Sequence, residues 1–272
     1  MESKTQHFLA GLPRSGSTLL ANLLLQNPRF HATGTSPLLE TLINARNHMD
    51  KLPDYRAMPE ELRKTRKVNV LKGILNNYYA DVERPVVFDK CRGWPFYIET
   101  AEMVLNRKVK ILATVRDLRD VLSSLERLWR RNKSMMSITQ EEANVFNFQT
   151  VAQRANFWVQ NNQLVGLAIN QIRDAFARGF KSRIHLIEFE DLTNKPAKVM
   201  ADIYDFLDEP KYEHNFESIE PIVKEDDYEY NFPGLHDIRT KVEPVKSMWK
   251  EILGDEVGMV YARDARFWRD LT

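Results

Sequence analysis

The sequence predicts an α/β fold: a central, mostly parallel sheet flanked by helices in three layers, with helical insertions. Three observations carry that expectation. Short apolar runs of strand length (6–10, 84–90, 109–115 and 183–192) alternate with stretches of helical periodicity, and strands separated by helices pair in parallel with both sheet faces covered. The first run leads straight into a glycine-rich turn, GLPRSGSTLL (11–20), that opens a helix. No repeat, low-complexity tract or linker interrupts the 272 residues, so a single domain, 1–272, with a sizeable core is expected.

The elements follow in order. QHFLA (6–10) reads as the first strand and STLLANLLLQ (17–26) as a helix whose leucines fill the core face. Ser36 then Pro37 has the form of an N-cap with proline in the first helical position, opening a helix through about Met49. Residues 59–82 are polar and basic with helical spacing. RPVVFDK (84–90) reads as a buried strand ending in polar residues, PFYIETAEMVL (95–105) as helix, VKILATV (109–115) as strand and DLRDVLSSLERLWRR (117–131) as helix. Thr139 to Glu142 form a capping-box pattern ahead of a long helical run, 142–178. RIHLIEFEDL (183–192) is expected as a further strand and PAKVMADIYDFL (196–207) as an amphipathic helix. Residues 213–243 show little periodicity, and a loop of that length is usually functional or disordered. The end, 244–270, reads as helix.

Net charge is +1, with 43% hydrophobic and 28% charged residues, so no global field favours nucleic acid or an anionic membrane, and any basic site must be local. Cys91 is the only cysteine, which suits a reducing compartment. The opening MESKTQHFLAGLPRSG lacks a secretory signal, and no apolar run approaches the ~18 residues of a membrane span. A soluble cytoplasmic protein is expected. The histidines at 7, 31, 48, 185, 214 and 236 show no metal-ligand spacing with one another or with Cys91, so no metal is expected. No Gly-x-Ser-x-Gly elbow surrounds Ser15 or Ser17, which counts against a hydrolase.

Gly11-x-x-x-x-Gly16 followed by Ser17-Thr18 matches a phosphate loop (P-loop), except that serine stands where lysine is usual. The physics survives the change. Small residues let the N–H groups of 15–18 converge on phosphate oxygens, and the following helix adds its positive end. Arg14 supplies a multidentate cation, and Ser15, Gly16, Ser17 and Thr18 complete the candidate binding set. The missing lysine counts against a nucleoside-triphosphate hydrolase or kinase, where it bridges the terminal phosphates. ILATVRD places Arg116 before Asp117, so a metal-binding Walker-B aspartate is hard to find. A P-loop small-molecule or nucleotide kinase and a non-catalytic nucleotide-binding module remain the alternatives. Arg116 at a strand end and Ser124 eight residues later, two turns into a helix, can grip a second phosphate near the loop.

With these residues the chain resembles sulfotransferases that use 3′-phosphoadenosine-5′-phosphosulfate. GLPRSGSTLL is similar to the family's 5′-phosphosulfate loop, and VRDLRDVLSSL to its 3′-phosphate motif, with the same arginine-to-serine separation. The resemblance extends to VVFDKCRGWPF, where Lys90 falls at a lysine that contacts the leaving phosphate, and to IEFEDLTNKPAKVMADIYDFLDEP. Roughly 10–40, 84–131 and 183–210 are covered. The arginine form of the loop looks closer to tyrosylprotein and carbohydrate-type enzymes than to the cytosolic lysine form.

Three departures stand out. Gly34-Thr35-Ser36 replaces the Gly-Glu-Glu segment of the protein-tyrosine enzymes, Phe189 stands where tyrosine is common, and Arg92 occupies the place of the cytosolic histidine base.

The resemblance implies metal-free transfer of a sulfuryl group to a hydroxyl on a small molecule, carbohydrate or peptide. In that reading Arg14, Lys90 and the loop N–H groups serve the 5′-phosphosulfate, and Arg116 with Ser124 holds the 3′-phosphate. Arg239, Thr240 and Lys241, in DIRTKVEP (237–244), close over the nucleotide. Glu40 is the candidate general base, with His31 and Asp89 as competitors. Insertions at about 41–82 and 132–178 are expected to shape the acceptor pocket.

Overall fold

Strand β1 (Thr5–Gly11) lies at the centre of an all-parallel, five-stranded sheet of order β2-β3-β1-β4-β5. Its neighbours are β2 (Phe30–Ala32), β3 (Val86–Lys90), β4 (Ile111–Val115) and β5 (Ile184–Glu188). The structure is a computed structural model describing residues 4–139, 148–223, 225–230 and 233–271. Helix α1 (Ser17–Leu25) follows β1. Between β2 and β3 come α2 (Leu38–Met49), α3 (Pro53–Arg56) and α4 (Glu60–Asn77), and α5 (Ile98–Leu105) precedes β4. Helices α6 (Leu118–Thr139), α7 (Val151–Trp158) and α8 (Leu164–Ala177) lead to β5, followed by α9 (Phe189–Asn194), α10 (Pro196–Leu207), α11 (Trp249–Leu253) and α12 (Asp255–Val260).

Alternation along the strands builds the three layers. Leu9, Phe88 and Leu112 pack on one face with Leu23 of α1 and Ile203 of α10. Phe8, Val87 and Ile111 point the other way, onto Leu42, Leu75 and Ile98 of α2, α4 and α5. Because both faces are covered, β3 and β4 are buried along their whole length and mostly apolar rather than alternating. A third cluster joins Leu122, Trp158, Ile169 and Trp268 around α6 to α8. After β3 the chain crosses to the opposite side of β1 to place β4, so the sheet has its switch point at β1, and a crevice opens at the carboxyl ends there.

The expected α/β class therefore holds, and the differences are local. β2 is too short, at three residues, to show a period of two. The expected helix 142–178 is two helices where it is described. Asn161 and Asn162 sit in the break, and such side chains compete for backbone groups. Gly166 lets α8 pass directly against the carbonyls of Val159 and Gln160. The capping-box pattern at 139–142 falls mostly outside the described residues, but Thr150 and Gln153 form a capping box opening α7. The expected strand 183–192 ends at Glu188 and turns helical at Phe189. The expected helix 244–270 is broken by Gly254, at φ 79°, into α11, α12 and a final 3-10 turn (Phe267–Asp270). No helix among the described residues is long and apolar enough to cross a membrane.

Candidate active site

The glycine turn joins β1 to α1 at the switch point. Leu12 N donates to Thr114 O at 2.9 Å, tying the turn to β4. Arg14 (φ 57°) and Gly16 (φ 88°) both take the left-handed conformation, which curls successive N–H groups toward one side as an anion-binding nest. Gly16 is required twice over, since a Cβ there would also stand 2.6 Å from the Phe189 ring. The Ser15 hydroxyl is fully buried and bonds Leu12 O at 2.6 Å and Thr114, so its side chain closes the loop and its backbone N–H is what it offers a ligand. Helix α1 starts with no side-chain cap and no acidic residue in its first turn, leaving its N–H groups and positive end to Ser17 and Thr18 at the cavity wall.

The cavity beside this turn has a volume of about 450 Å³ and reaches the ends of β1, β3 and β4. Its described lining includes nine Lys or Arg side chains against three carboxylates (Asp120, Asp237 and Glu243), a concentration of positive charge in a chain of net charge +1. Lys90, the last residue of β3, pairs in register with Leu9 and extends its Nζ to within 3.5 Å of Thr18 Oγ1. Burial brings its ammonium down to about 8, and Glu225 and Asp227 oppose that shift. Arg116, directly after β4, donates from Nη1 to Arg14 O at 3.1 Å, and Arg14 Nε donates to Ser124 Oγ at 3.1 Å. The two motifs of the sequence thus form one wall.

Burial lowers both arginines from their usual range, and Arg116 adds to the effect on Arg14, as expected of guanidinium groups crowded together. Arg116 rests 4.4 Å above the Phe189 ring, and its buried Nε has no partner. An anion here would relieve both the crowding and the unmet donor.

The remaining predicted residues scatter. Arg239 and Lys241 line the cavity from exposed positions and pair with Glu243 and Glu217. Thr240 lies between them, its carbonyl accepting from Ile219 N at 2.6 Å, and its side chain is exposed outside the cavity lining. Glu40 is exposed on the first turn of α2, also outside the lining. His31 lines a separate recess with Thr33, Thr35 and Arg84. Asp89 is buried and bonded to Trp94 Nε1 at 2.6 Å and to Tyr79, and burial raises its carboxyl. It therefore serves the core, not Lys90.

Sequence reasoning missed Arg127 and Arg131, which follow Ser123 and Ser124 along one face of α6 and line the cavity. Arg127 stands three to four residues after those serines and Arg131 four after Arg127, and that helical spacing was a usable signal. It also missed His236, whose place in the site depends on a loop with no periodicity.

A family model describing the sulfotransferase family matches residues 7–214, more than half the chain. The chain belongs to the sulfotransferase family and is an enzyme of sulfuryl transfer. No curated protein matches it in sequence. Among solved structures, the sulfotransferase domain from the Synechococcus PCC 7002 olefin synthase is similar, at 18% identity and TM-score 0.55 over 96% of each chain. Retinol dehydratase, solved with androsterone and the inactive cofactor PAP, is similar at 19% identity and TM-score 0.51, over 98% of this chain and 80% of that one. Mouse sulfotransferase SULT7A1, complexed with PAP, is similar at 14% identity and TM-score 0.51, over 98% and 87%. These likenesses show a shared fold.

Proposed function

We propose that the donor is 3′-phosphoadenosine-5′-phosphosulfate and the acceptor a hydroxyl on a small molecule, carbohydrate or peptide. One observation carries this reading: two anion cradles, built on the ends of β1 and β4, meet through the Arg116–Arg14 and Arg14–Ser124 hydrogen bonds at 3.1 Å each. A nucleotide phosphorylated at both its 5′ and 3′ positions is the ligand that asks for such a pair. The structures of retinol dehydratase and of SULT7A1 with PAP support the same donor. The arginine loop supports a likeness to tyrosylprotein and carbohydrate-type enzymes.

In this reading the N–H groups of 15–18, Arg14 and Lys90 take the 5′-phosphosulfate, and Arg116 and Ser124 the 3′-phosphate. Arg239 and Lys241 would exchange their exposed ion pairs for the nucleotide, and such pairs are individually weak. The acceptor oxygen attacks sulfur, the sulfur–oxygen bond to the 5′-phosphate breaks, and charge grows on the departing phosphate. Donors already fixed at that point are each typically worth ~10²–10³ in rate. Lys90 suits the task because burial strengthens its field and leaves it an ammonium at neutral pH.

Thermal unfolding with 3′,5′-bisphosphoadenosine and no metal, and separately with ATP and magnesium, tests the donor. Stabilisation by the bisphosphate is expected. Stabilisation by ATP–magnesium alone would favour a kinase and overturn the reading.

A further inference from the structure

The donor cradle leaves the acceptor's proton without a destination. Glu40 lies outside the cavity, Asp89 is occupied in the core, and Arg92, two residues beyond Lys90 on the cavity wall, is a guanidinium that cannot accept a proton. One cluster on the irregular segment after α10 has the required form. That segment is tied down at three places. Asn22 Oδ1 accepts from Ile222 N (2.8 Å) and Val223 N (3.1 Å). Arg131 Nη2 and Asn132 Nδ2 donate to Pro233 O (2.8 and 3.0 Å), and Arg14 donates to Leu235 O. The donor-loop arginine thus holds the residue directly before His236, and His236 lines the cavity.

Around the imidazole the geometry is directional. The backbone N–H of His236 donates to Asp227 Oδ2 at 3.0 Å, and its ring Nδ1 lies 2.5 Å from Asp227 Oδ1. Glu225 Oε2 stands 3.3 Å from the same nitrogen, and Thr35 Oγ1 donates to that oxygen at 3.0 Å. Gly34 makes room for this, because a Cβ there would fall 2.1 Å from Glu225 Oε1. Two carboxylates facing Nδ1 favour a proton on that nitrogen, and in the neutral ring that tautomer carries its lone pair on Nε2. Among the described residues Nε2 has no hydrogen-bond partner, and it is not among the sealed polar atoms.

We propose that His236 is the general base that takes the proton of the acceptor hydroxyl at Nε2, and that Asp227 is its positioning residue. The inference rests on the sulfuryl-transfer reading above. As the acceptor oxygen bonds to sulfur, the sulfur–oxygen bond to the 5′-phosphate breaks and its electron pair stays on the departing bisphosphate. The hydroxyl proton ends on Nε2, and the imidazolium, stabilised by Asp227 and Glu225, later returns it to water. Burial by itself would raise the Asp227 carboxyl, but the hydrogen bonds from the His236 backbone and ring outweigh it and hold the group below the usual carboxylate range. It therefore faces the ring as an anion at neutral pH. The Tyr230 ring stands edge-on to the imidazole at 5.6 Å, Arg14 and Lys90 act on Asp227, Lys90 also on Glu225, and Arg131 pairs with the neighbouring Asp237 at 3.7 Å.

The test pairs turnover with a readout independent of activity. Acceptors are 4-nitrophenol, 2-naphthol and benzyl alcohol, with 3′-phosphoadenosine-5′-phosphosulfate as donor. His236→Gln should lower kcat by ~10²–10³ while the affinity for 3′,5′-bisphosphoadenosine stays within about twofold. The loss should be least for 4-nitrophenol, which gives up its proton most easily, and Asp227→Asn should lower kcat and shift the acidic limb of the pH profile. In protein carrying 15N-labelled histidine, the His236 ring should show its neutral proton on Nδ1, should respond to the bisphosphate, and should lose that preference in Asp227→Asn. A His236→Gln enzyme with wild-type rate and pH profile, or a ring protonated on Nε2 in protein that binds the bisphosphate, overturns the proposal. Failure of the wild-type protein to bind the bisphosphate overturns instead the donor assignment beneath it.

Discussion

The strand-end wall of the cavity and the irregular segment after α10 that also lines it reach order by different routes. In the wall Ser124 comes from α6, while three of the phosphate-facing groups sit at or just past a strand end: Lys90 closes β3, Arg116 follows β4 directly, and Arg14 lies three residues beyond β1. The sheet register then decides where each one points. Between α10 and α11 there is no helix or strand among the described residues. Order at Ile222, Val223, Pro233 and Leu235 is supplied from far along the chain, by Asn22, Arg131 and Arg14 acting on their backbone groups. In the proposed reading donor binding rests on local architecture, whereas acceptor activation depends on a strap held by a few long-range hydrogen bonds. Experiments that strike one region and spare the other can break this division.

Lys90→Ala strikes the wall hardest. It should lower kcat by ~10²–10³ while the strap's backbone protection is unchanged. Its protonation sharpens the point. Burial lowers the ammonium to about 8 in the free protein, and a bound phosphate raises it again. Affinity for 3′,5′-bisphosphoadenosine should therefore be full below pH about 8 and fall as pH rises through that value. Calorimetry across this range should show the fall in the wild type and a flatter profile in Lys90→Arg. A flat wild-type profile would remove Lys90 from the phosphate site.

Arg116→Ala comes next. Hydrogen bonds to charged groups are worth about 1.5–3 kcal/mol, so binding of 3′,5′-bisphosphoadenosine should weaken roughly 10- to 100-fold. Adenosine 5′-phosphate, which lacks the 3′ group, should lose far less. Equal weakening of both nucleotides would place Arg116 on the 5′ side and dissolve the two-cradle arrangement.

This division also explains what the sequence revealed. GLPRSGSTLL announces its geometry because Gly16 combines a left-handed φ of 88° with an approach of Phe189 that leaves no room for a Cβ. Arg116 and Ser124 were legible because a strand end and a helical period fix their relative direction over a short stretch. The polar end of the β3 run was legible from its pattern, and the part given to Lys90 came from the family resemblance. Glu40 was a plausible base on helix position alone, but its direction depends on how α2 rotates on the sheet, and that rotation turns it to solvent. His236 and Asp227 lie nine positions apart in a stretch without period, and they meet only because the chain folds back within a strap anchored elsewhere. No local rule encodes such a contact.

The gentlest test is Asn22→Ala. Asn22 is buried on α1, with its Nδ2 bonded to Thr18 O at 2.9 Å and its Oδ1 accepting from Ile222 N and Val223 N. Removing the side chain leaves those two N–H groups without their partner and should cost about 1–3 kcal/mol of local stability. Hydrogen exchange at 222–223 should accelerate, and if the strap acts as a unit, so should exchange at 235–236. The backbone N–H groups of 15–18 remain in place, so bisphosphate affinity should change by less than about threefold. Faster exchange confined to 222–223 would show that Arg14 and Arg131 hold the His236 end independently. A loss of nucleotide binding as large as in Arg116→Ala would mean that wall and strap form one cooperative unit, and the division between local and borrowed order would fall.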